Sequence, residues 1–309
     1  MIPLEEISNV DLVVVNEIEY LPWLMARQSD LQTAPTYLDL HEDHINNADR
    51  GLLEMFAFRK YWNWQLEKAI EFVEERSGHL VITSVEEVIA SSYSKLFSEP
   101  VQLIYNAPDN NRLQAIPLES DAIRLVHHGM GTKGRGIEET IRALRLLDSK
   151  FSLDLVLFCT PLFRLKIEVL SWILGIRKRV KVLPGVPLDE LPILLNGYDI
   201  SIILISGRIP GHLNALPNKL FESIHSKLAI VTGPNPSMSK IVTNNKIGVS
   251  LASWSFKELA GTLSKLTAED VNTFKQNASL AAPHFSSERS KRAFGRIVHK
   301  LTGIAIRDK

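Results

Sequence analysis

A short segment late in the chain has the residue types and spacing of an anion-binding helix start. It reads Asn214-Ala-Leu-Pro-Asn-Lys-Leu-Phe-Glu222. Pro217 suits the first helical position, because it has no N–H to lose and its φ is already helical. The free amides of the first turn, from Asn218 onward, would then face a phosphate. Glu222, about one turn deeper, would meet the sugar hydroxyls of a nucleotide; an ordinary helix start with a solvated glutamate is the alternative.

A glycine-rich turn is the second segment that could do chemistry. It reads His128-Gly-Met-Gly-Thr-Lys-Gly-Arg-Gly136 and lies between an apolar run and a helical pattern. Glycines such as Gly129 and Gly131 allow the backbone to approach a ligand closely. Lys133 could supply a single positive charge, and the planar guanidinium of Arg135 could donate two parallel hydrogen bonds to a diphosphate. The glycine order is not that of a nicotinamide site, and the Gly-Lys-Ser/Thr of a P-loop is absent.

Two series of strands would position these segments. Short apolar runs rich in β-branched residues predict strands at 11–15, 36–40, 79–83, 101–105, 123–128, 153–159, 180–183, 200–205, 228–232 and 248–251. Helix-length stretches alternate with them, which indicates parallel sheets covered on both faces. A turn-rich break at 106–121 separates the series, so we predict an α/β protein of two doubly wound, Rossmann-like domains. Both segments follow strands of the second domain, so they would meet at the carboxyl edge of its sheet, in the cleft between the domains.

Composition and charge restrict the class of protein and its partners. The chain has 309 residues, an apolar fraction of 45%, and 35 basic against 35 acidic residues. This balance suits a two-domain globular protein and gives no overall basic field for nucleic acid. The single cysteine, Cys159, excludes an internal disulfide and suits a reducing cytosol. With no membrane-length apolar run and no signal-peptide pattern, we expect a cytoplasmic protein, either free or peripheral on the inner face of the membrane.

The stretch from 53 to 75 leaves two interpretations open. It combines aromatic and basic residues, namely Phe56, Phe58, Arg59, Lys60, Tyr61, Trp62 and Trp64. One interpretation is an amphipathic helix that covers its own sheet. The other is a face that contacts a membrane or an acceptor lipid, where aromatic and basic side chains are favoured.

No metal site is predicted from local spacing. His127 and His128 are adjacent on a predicted strand, so they point to opposite faces. The chain also has no Asp-x-Asp, His-x-Glu or cysteine cluster, which are the spacings that would demand a metal. We therefore expect no metal and no cofactor.

The order of these segments resembles a known family. The Arg135-Gly136 turn, Val182-Leu-Pro-Gly-Val186, the strand from Tyr198 and the segment Leu-Pro-Asn-Lys-Leu-Phe-Glu222 are together similar to nucleotide-sugar glycosyltransferases of the GT-B fold. The likeness is strongest to the family-4-like, retaining group of bacterial surface-polysaccharide pathways. It implies a hexosyltransferase that moves a sugar from a UDP or GDP sugar to a saccharide or lipid-linked acceptor. Two other functions stay open: a catalytically inactive nucleotide-sugar-binding partner subunit, and a GT-B sugar-nucleotide epimerase.

The resemblance also implies roles for individual residues. Glu222 would bind the ribose, Arg135 the diphosphate, and the turn at Val186 the nucleobase, while the loop 206–216 would lie at the sugar. The whole donor-binding set comprises Gly129, Gly131, Lys133, Arg135, Val186, Asn218, Lys219 and Glu222.

Three residues are catalytic candidates. Glu17 and His41 follow predicted strand ends of the first domain, although a solvated carboxylate and a loop histidine with a local hydrogen bond are the alternatives. Asn214 occupies the first position of the family's Glu-x7-Glu pair, where an amide can bind a sugar hydroxyl but carries no charge.

The resemblance divides the chain into three parts. Residues 1–117 would form an acceptor-side domain, 118–284 the donor-binding domain, and 285–309 a C-terminal helix that crosses back to the first domain. The family's first strand–helix units have no counterpart before the strand at 11–15, so we expect either that the first domain is reduced or that the chain is a fragment of a longer protein. An open sheet edge there predicts self-association through residues 11–40.

Overall fold

The computed structural model describes residues 10–26, 34–45, 56–119, 121–207 and 212–304. The chain divides into two compact units. The first comprises residues 1–106 and 288–309, and the second comprises residues 107–287.

The first unit contains a four-stranded parallel sheet in the order β1-β2-β3-β4. Its strands are β1 (Val13–Asn16), β2 (Thr36–Leu40), β3 (Leu80–Ser84) and β4 (Val101–Leu103). Its helices are α1 (Leu21–Met25), α2 (Phe56–Glu75) and α3 (Glu87–Phe97). Leu38 and Ile82 are buried together with Phe72 of α2 and Tyr93 of α3. The helices therefore cover the apolar faces that parallel strands must bury.

The second unit contains a six-stranded parallel sheet in the order β10-β9-β8-β5-β6-β7. Its strands are β5 (Ile123–Met130), β6 (Phe151–Phe158), β7 (Val180–Pro184), β8 (Ile200–Ile203), β9 (Ala229–Thr232) and β10 (Gly248–Ser250). Its helices are α4 (Ile137–Leu144), α5 (Pro161–Ile173), α6 (Leu191–Asn196), α7 (Asn218–His225), α8 (Pro236–Asn244), α9 (Phe256–Lys265) and α10 (Ala268–Ala281). The strand order reverses between β5 and β8, and ligands of doubly wound sheets bind at such a switch point.

Helix α11 (Ser287–Thr302) ends the described part of the chain. Within the first unit it buries Ile297 beside Tyr37 and Val81, and Phe294 packs edge-on against Tyr37 at 5.2 Å between ring centroids.

Helix α2 bears on the two interpretations of the stretch 53–75. Ala69, Phe72 and Val73 are buried in the core of the first unit, as expected for a helix that covers its sheet. Residues 53–55 and the side chains of Phe56, Phe58 and Arg59 lie outside the described residues. No helix in the described ranges has the length and apolar character needed to cross a membrane.

Candidate functional site

Two turns meet at the carboxyl edge of the second sheet. The glycine-rich turn leaves β5 and enters α4, and the loop after β8 leads to α7. The amide of Ser206 donates a hydrogen bond of 2.9 Å to the carbonyl of Gly134, which joins the two turns. The expectation that both segments lie at one sheet edge is met at the β5–β8 switch point.

The glycines of this turn allow positive φ angles and close packing against neighbouring atoms. Gly129, Gly134 and Gly136 have φ of 100°, 84° and 75°, in the left-handed region that other residues rarely adopt. A Cβ on Gly131 would lie 2.5 Å from the Cβ of Cys159. A Cβ on Gly129 would lie 3.8 Å from Nζ of Lys219, so the absence of a side chain there leaves room beside that ammonium.

Helix α7 begins one residue later than predicted. Pro217 is its N-cap, with the extended φ and ψ of −75° and 148°, and Asn218 is the first helical residue. Proline favours an extended conformation equally well, so its fixed φ does not distinguish the two positions. The exposed Asn218 therefore carries the first free amide of the helix.

Lys219 is a buried cation at the start of α7. It is 7% exposed. Its Nζ lies 3.4 Å from Nε2 of His127. Because Nδ1 of His127 donates to the carbonyl of Ile202 at 3.1 Å, Nε2 is the acceptor for the ammonium. Burial and, to a smaller extent, the charge of Arg135 together lower the pKa of Lys219 to about 8, while Glu222 acts in the opposite direction.

Glu222 is held by the second histidine of β5. Nε2 of His128 donates to Oε2 of Glu222 at 3.0 Å. Burial lowers the pKa of His128 while Glu222 opposes the shift, so the imidazole is neutral and acts as a donor. Adjacent strand residues alternate in direction, yet both histidines contact side chains of α7, His127 that of Lys219 and His128 that of Glu222.

Arg135 and Lys133 extend the positive charge along the glycine-rich turn. Arg135 is half-buried and Lys133 is exposed. Burial and the charge of Arg135 lower the pKa of His212, a residue of the loop after β8. His127 and His128 were not predicted as site residues, and His212 was included only as part of the loop 206–216, because only the folded chain shows that these histidines contact or neighbour Lys219, Glu222 and Arg135.

The other predicted residues of this unit lie around the same edge. Asn214 is half-buried in the turn that precedes α7, and Val186 follows β7, two strands away from β5. A cavity of about 340 Å³ borders the glycine-rich turn at Gly134 and Gly136. Trp254 lines this cavity and donates from its ring nitrogen to the carbonyl of Ile205 at 2.7 Å.

The first unit places Glu17 and His41 together at the carboxyl edge of its sheet. Oε1 of Glu17 accepts hydrogen bonds from the amides of His41 and Glu42, at 2.7 and 3.1 Å. Glu17 has a φ of 74°, a strained value for a residue with a side chain. Its carboxylate therefore fixes the conformation of the loop after β2.

His41 forms a carboxylate–imidazole pair with Asp39. Its Nε2 lies 2.9 Å from Oδ2 of Asp39. The hydroxyl of Thr83 donates to the other carboxylate oxygen at 2.7 Å. The hydrogen bond to Asp39 raises the pKa of His41, although burial acts against it. Burial also acts against ionisation of Asp39, but its hydrogen bonds from His41 and Thr83 hold the pKa of that carboxyl below its ordinary value.

A set of potential metal ligands in the same unit could not be detected from local spacing. Ligand atoms of Glu17, Glu19 and His44 lie within 4.8 Å of one another. His44 is 27 residues from Glu17, and its Nε2 lies 3.2 Å from Glu17 and 3.4 Å from Glu19. Its ring also stacks on Trp62, at 4.3 Å between centroids.

The fold of the chain is shared with solved glycosyltransferases. No protein-family model and no curated protein matches the chain. A structure of HepE from Anabaena in complex with UDP and glucose aligns with a TM-score of 0.71 and 15% identity, covering 96% of this chain and 80% of HepE. Sucrose-phosphate synthase from Thermosynechococcus elongatus aligns with a TM-score of 0.70 and 15% identity, covering 95% of this chain and 74% of the synthase.

A third similar structure is that of an enzyme of lipopolysaccharide biosynthesis. WaaG, a glycosyltransferase of that process, aligns with a TM-score of 0.64 and 15% identity, covering 93% of this chain and 82% of WaaG. The protein thus has the GT-B fold of glycosyltransferases, as its sequence motifs predicted. At these identities the likeness establishes the fold.

Proposed function

We propose that this protein is a glycosyltransferase that moves a hexose from a nucleoside diphosphate sugar to a saccharide or lipid-linked acceptor. The observation that carries the proposal is the buried ammonium of Lys219 at the β5–β8 switch point. In the described part of the chain, its hydrogen-bond partner is the neutral ring of His127 rather than a carboxylate. A buried cation without a bonded anion is costly, so the site favours an anionic ligand.

The surrounding groups favour a diphosphate with an attached sugar. Arg135 lies close enough to lower the pKa of Lys219, so two positively charged side chains lie near each other at this site. The amides at the start of α7 and the glycine-rich turn add neutral donors. Negative charge develops on the leaving diphosphate during transfer, and these groups would stabilise it. Glu222, oriented by His128, would accept hydrogen bonds from the ribose hydroxyls.

We assign UDP as the first nucleotide to test and keep GDP as the second. The solved structures of HepE contain UDP, and one of them also contains glucose. The resemblance in sequence further favours retention of the anomeric configuration and a role in surface-polysaccharide synthesis. We infer that His41, held by Asp39, acts on the acceptor side, with Glu17 fixing its loop and Asn214 contacting the donor sugar.

Calorimetry with UDP, GDP and UDP-glucose tests the donor site. Replacing Lys219 by Met or Glu222 by Gln should weaken UDP binding by about tenfold to a hundredfold, the usual effect of losing a hydrogen bond to a charged group. Lys257→Met, an exposed lysine on α9 of the same unit, is the matched control and should leave binding unchanged. Addition of a chelator should also leave binding unchanged. No binding of any nucleoside diphosphate would refute the proposal.

Product analysis separates transfer from the alternative functions. Incubation of a UDP sugar with saccharide and lipid-linked acceptors should release UDP and yield a glycosylated product, whose anomeric configuration proton NMR would assign. Binding of UDP without turnover would favour the non-catalytic subunit. Conversion of the sugar nucleotide without transfer to any acceptor would favour the epimerase.

A further inference from the structure

Helix α5 presents an apolar stripe to solvent. Five of its large apolar side chains are between 44% and 77% exposed, namely Leu162, Leu165, Val169, Trp172 and Ile173. No other helix among the described side chains has more than two such residues. Their spacing in the sequence places them on one side of the helix.

The opposite side of α5 already supplies its contact with the core. Ile167 and Ser171 are buried, and Phe163 and Leu170 pack against the main core of the second unit. A surface helix normally carries polar residues on its outer side, so an apolar outer side indicates a further contact. At 13 residues the helix is about 20 Å long, which is too short to span a bilayer but long enough to lie on one.

Among the described residues, unpaired basic side chains follow the stripe in the sequence, while the two basic residues on the helix itself, Arg164 and Lys166, pair with Glu168 and Glu138. Residues 161–181 contain six basic residues and a single acidic one, although the whole chain has a net charge of zero. Arg177, Lys178 and Lys181, which follow the helix, are exposed, and no ion pair within the described ranges neutralises them.

Arg179 fixes the position of this basic segment. Its guanidinium donates to the backbone carbonyls of Leu144, Leu147, Asp148 and Phe151 at 2.9 to 3.1 Å. These bonds tie the short turn Arg177–Arg179 to the second unit, so its two exposed cations keep a constant place beside the end of α5.

We propose that α5 and the segment 177–181 form a docking surface for an anionic lipid membrane. The apolar stripe would enter the boundary between headgroups and acyl chains, with Trp172 at the interface, while the cations contact lipid phosphates. Charge complementarity favours this occupant over a second copy of the chain, because two copies of this surface are basic alike. The surface lies in the second unit, distinct from the helix α2 that the aromatic composition suggested, and it does not depend on the transferase proposal.

Co-sedimentation of the full chain with vesicles tests this surface. The protein should pellet with phosphatidylglycerol vesicles and remain in the supernatant with phosphatidylcholine vesicles. The double variant Leu162→Ser/Trp172→Ser should weaken binding to the anionic vesicles by about tenfold or more. Leu280→Ser is the control, because Leu280 of α10 is 74% exposed and lies outside the stripe.

A charge-reversal pair tests the basic segment in the same assay. Arg177→Glu/Lys178→Glu should weaken binding by about tenfold or more, since each basic residue near an anionic surface contributes to binding. Lys257→Glu/Lys265→Glu changes the net charge equally at two exposed lysines of α9 and should bind as the parent does. Failure of the parent to bind anionic vesicles, or equal binding of the stripe variant and its control, would overturn the proposal. So would a dimer in light scattering that the stripe variant dissociates, without vesicle binding.

Discussion

At the scale of residues, the candidate donor site depends on contacts between distant parts of the sequence. Glu222 and Lys219 were predicted from a local motif, and the structure places both against β5. Their partners His127 and His128 are 92 and 94 residues away in sequence. Because successive side chains of a strand point to opposite faces, the sequence predicts the face on which a side chain lies. It does not predict which helix packs on that face. The local motif was therefore predictable, and the histidines that orient it were not.

The pKa of Lys219 leads to a test of its role. Its ammonium should bind the diphosphate, and a bound anion stabilises the protonated form. In the free protein the pKa is about 8, so binding above that pH requires uptake of a proton. The contribution of Lys219 to UDP affinity should thus be constant below about pH 7, and the affinity should fall by up to about tenfold per pH unit above about pH 8. Calorimetry across this range measures the slope.

The variant Lys219→Met serves as the control for this pH dependence. It should bind UDP more weakly at neutral pH, and its affinity should then vary little up to about pH 9. Ionisation of the nucleotide itself would affect both proteins equally. Identical slopes for the parent and the variant would show that Lys219 does not contact the bound anion.

At the scale of elements, all ten predicted strands are present and parallel. The strands could be predicted because each is a short, largely apolar run and helical stretches separate them. Strand and helix ends were less certain, as the one-residue difference at Pro217 shows. The outward stripe of α5 was also missed, because a helical pattern that is apolar on two sides does not reveal which side meets the sheet.

A substitution of Gly136 tests how closely the glycine-rich turn packs against Leu204, the residue that follows β8. It is the N-cap of α4 with a φ of 75°, and a Cβ there would lie 2.2 Å from the Cβ of Leu204 and 2.4 Å from its carbonyl oxygen. Gly136→Ala should therefore lower the free energy of unfolding by about 2 to 4 kcal/mol through backbone strain and overpacking. Urea unfolding of the full chain measures the change.

Gly261 provides a matched control within the same unit. It lies in α9, and a Cβ there would meet no atom within 4 Å. Gly261→Ala should raise the free energy of unfolding by up to about 1 kcal/mol, because alanine is the better helix former. Similar stability of the two variants would mean that the turn is not packed against Leu204.

At the scale of the whole molecule, the neutral net charge hides local differences. Basic residues concentrate along 161–181, whereas the carboxyl edge of the first sheet carries Glu17, Asp39 and Glu42. A global charge balance excludes an extended nucleic-acid surface but gives no information on such patches. Only the fold shows which charges share a surface, so the composition alone could not indicate the basic segment beside α5.

The open edge of the first sheet leads to a prediction about association. In the described part of the chain, β1 is the terminal strand, paired only with β2, and Val14 is 50% exposed. An unpaired apolar edge is a template for a second chain. We therefore expect concentration-dependent association in light scattering, and Val14→Lys should suppress it because a lysine on an edge strand opposes pairing. Ile116→Lys, at an equally exposed position in the second unit, should leave association unchanged. A monomer at every concentration would show that the edge of β1 is protected, and equal effects of the two lysines would place the contact elsewhere.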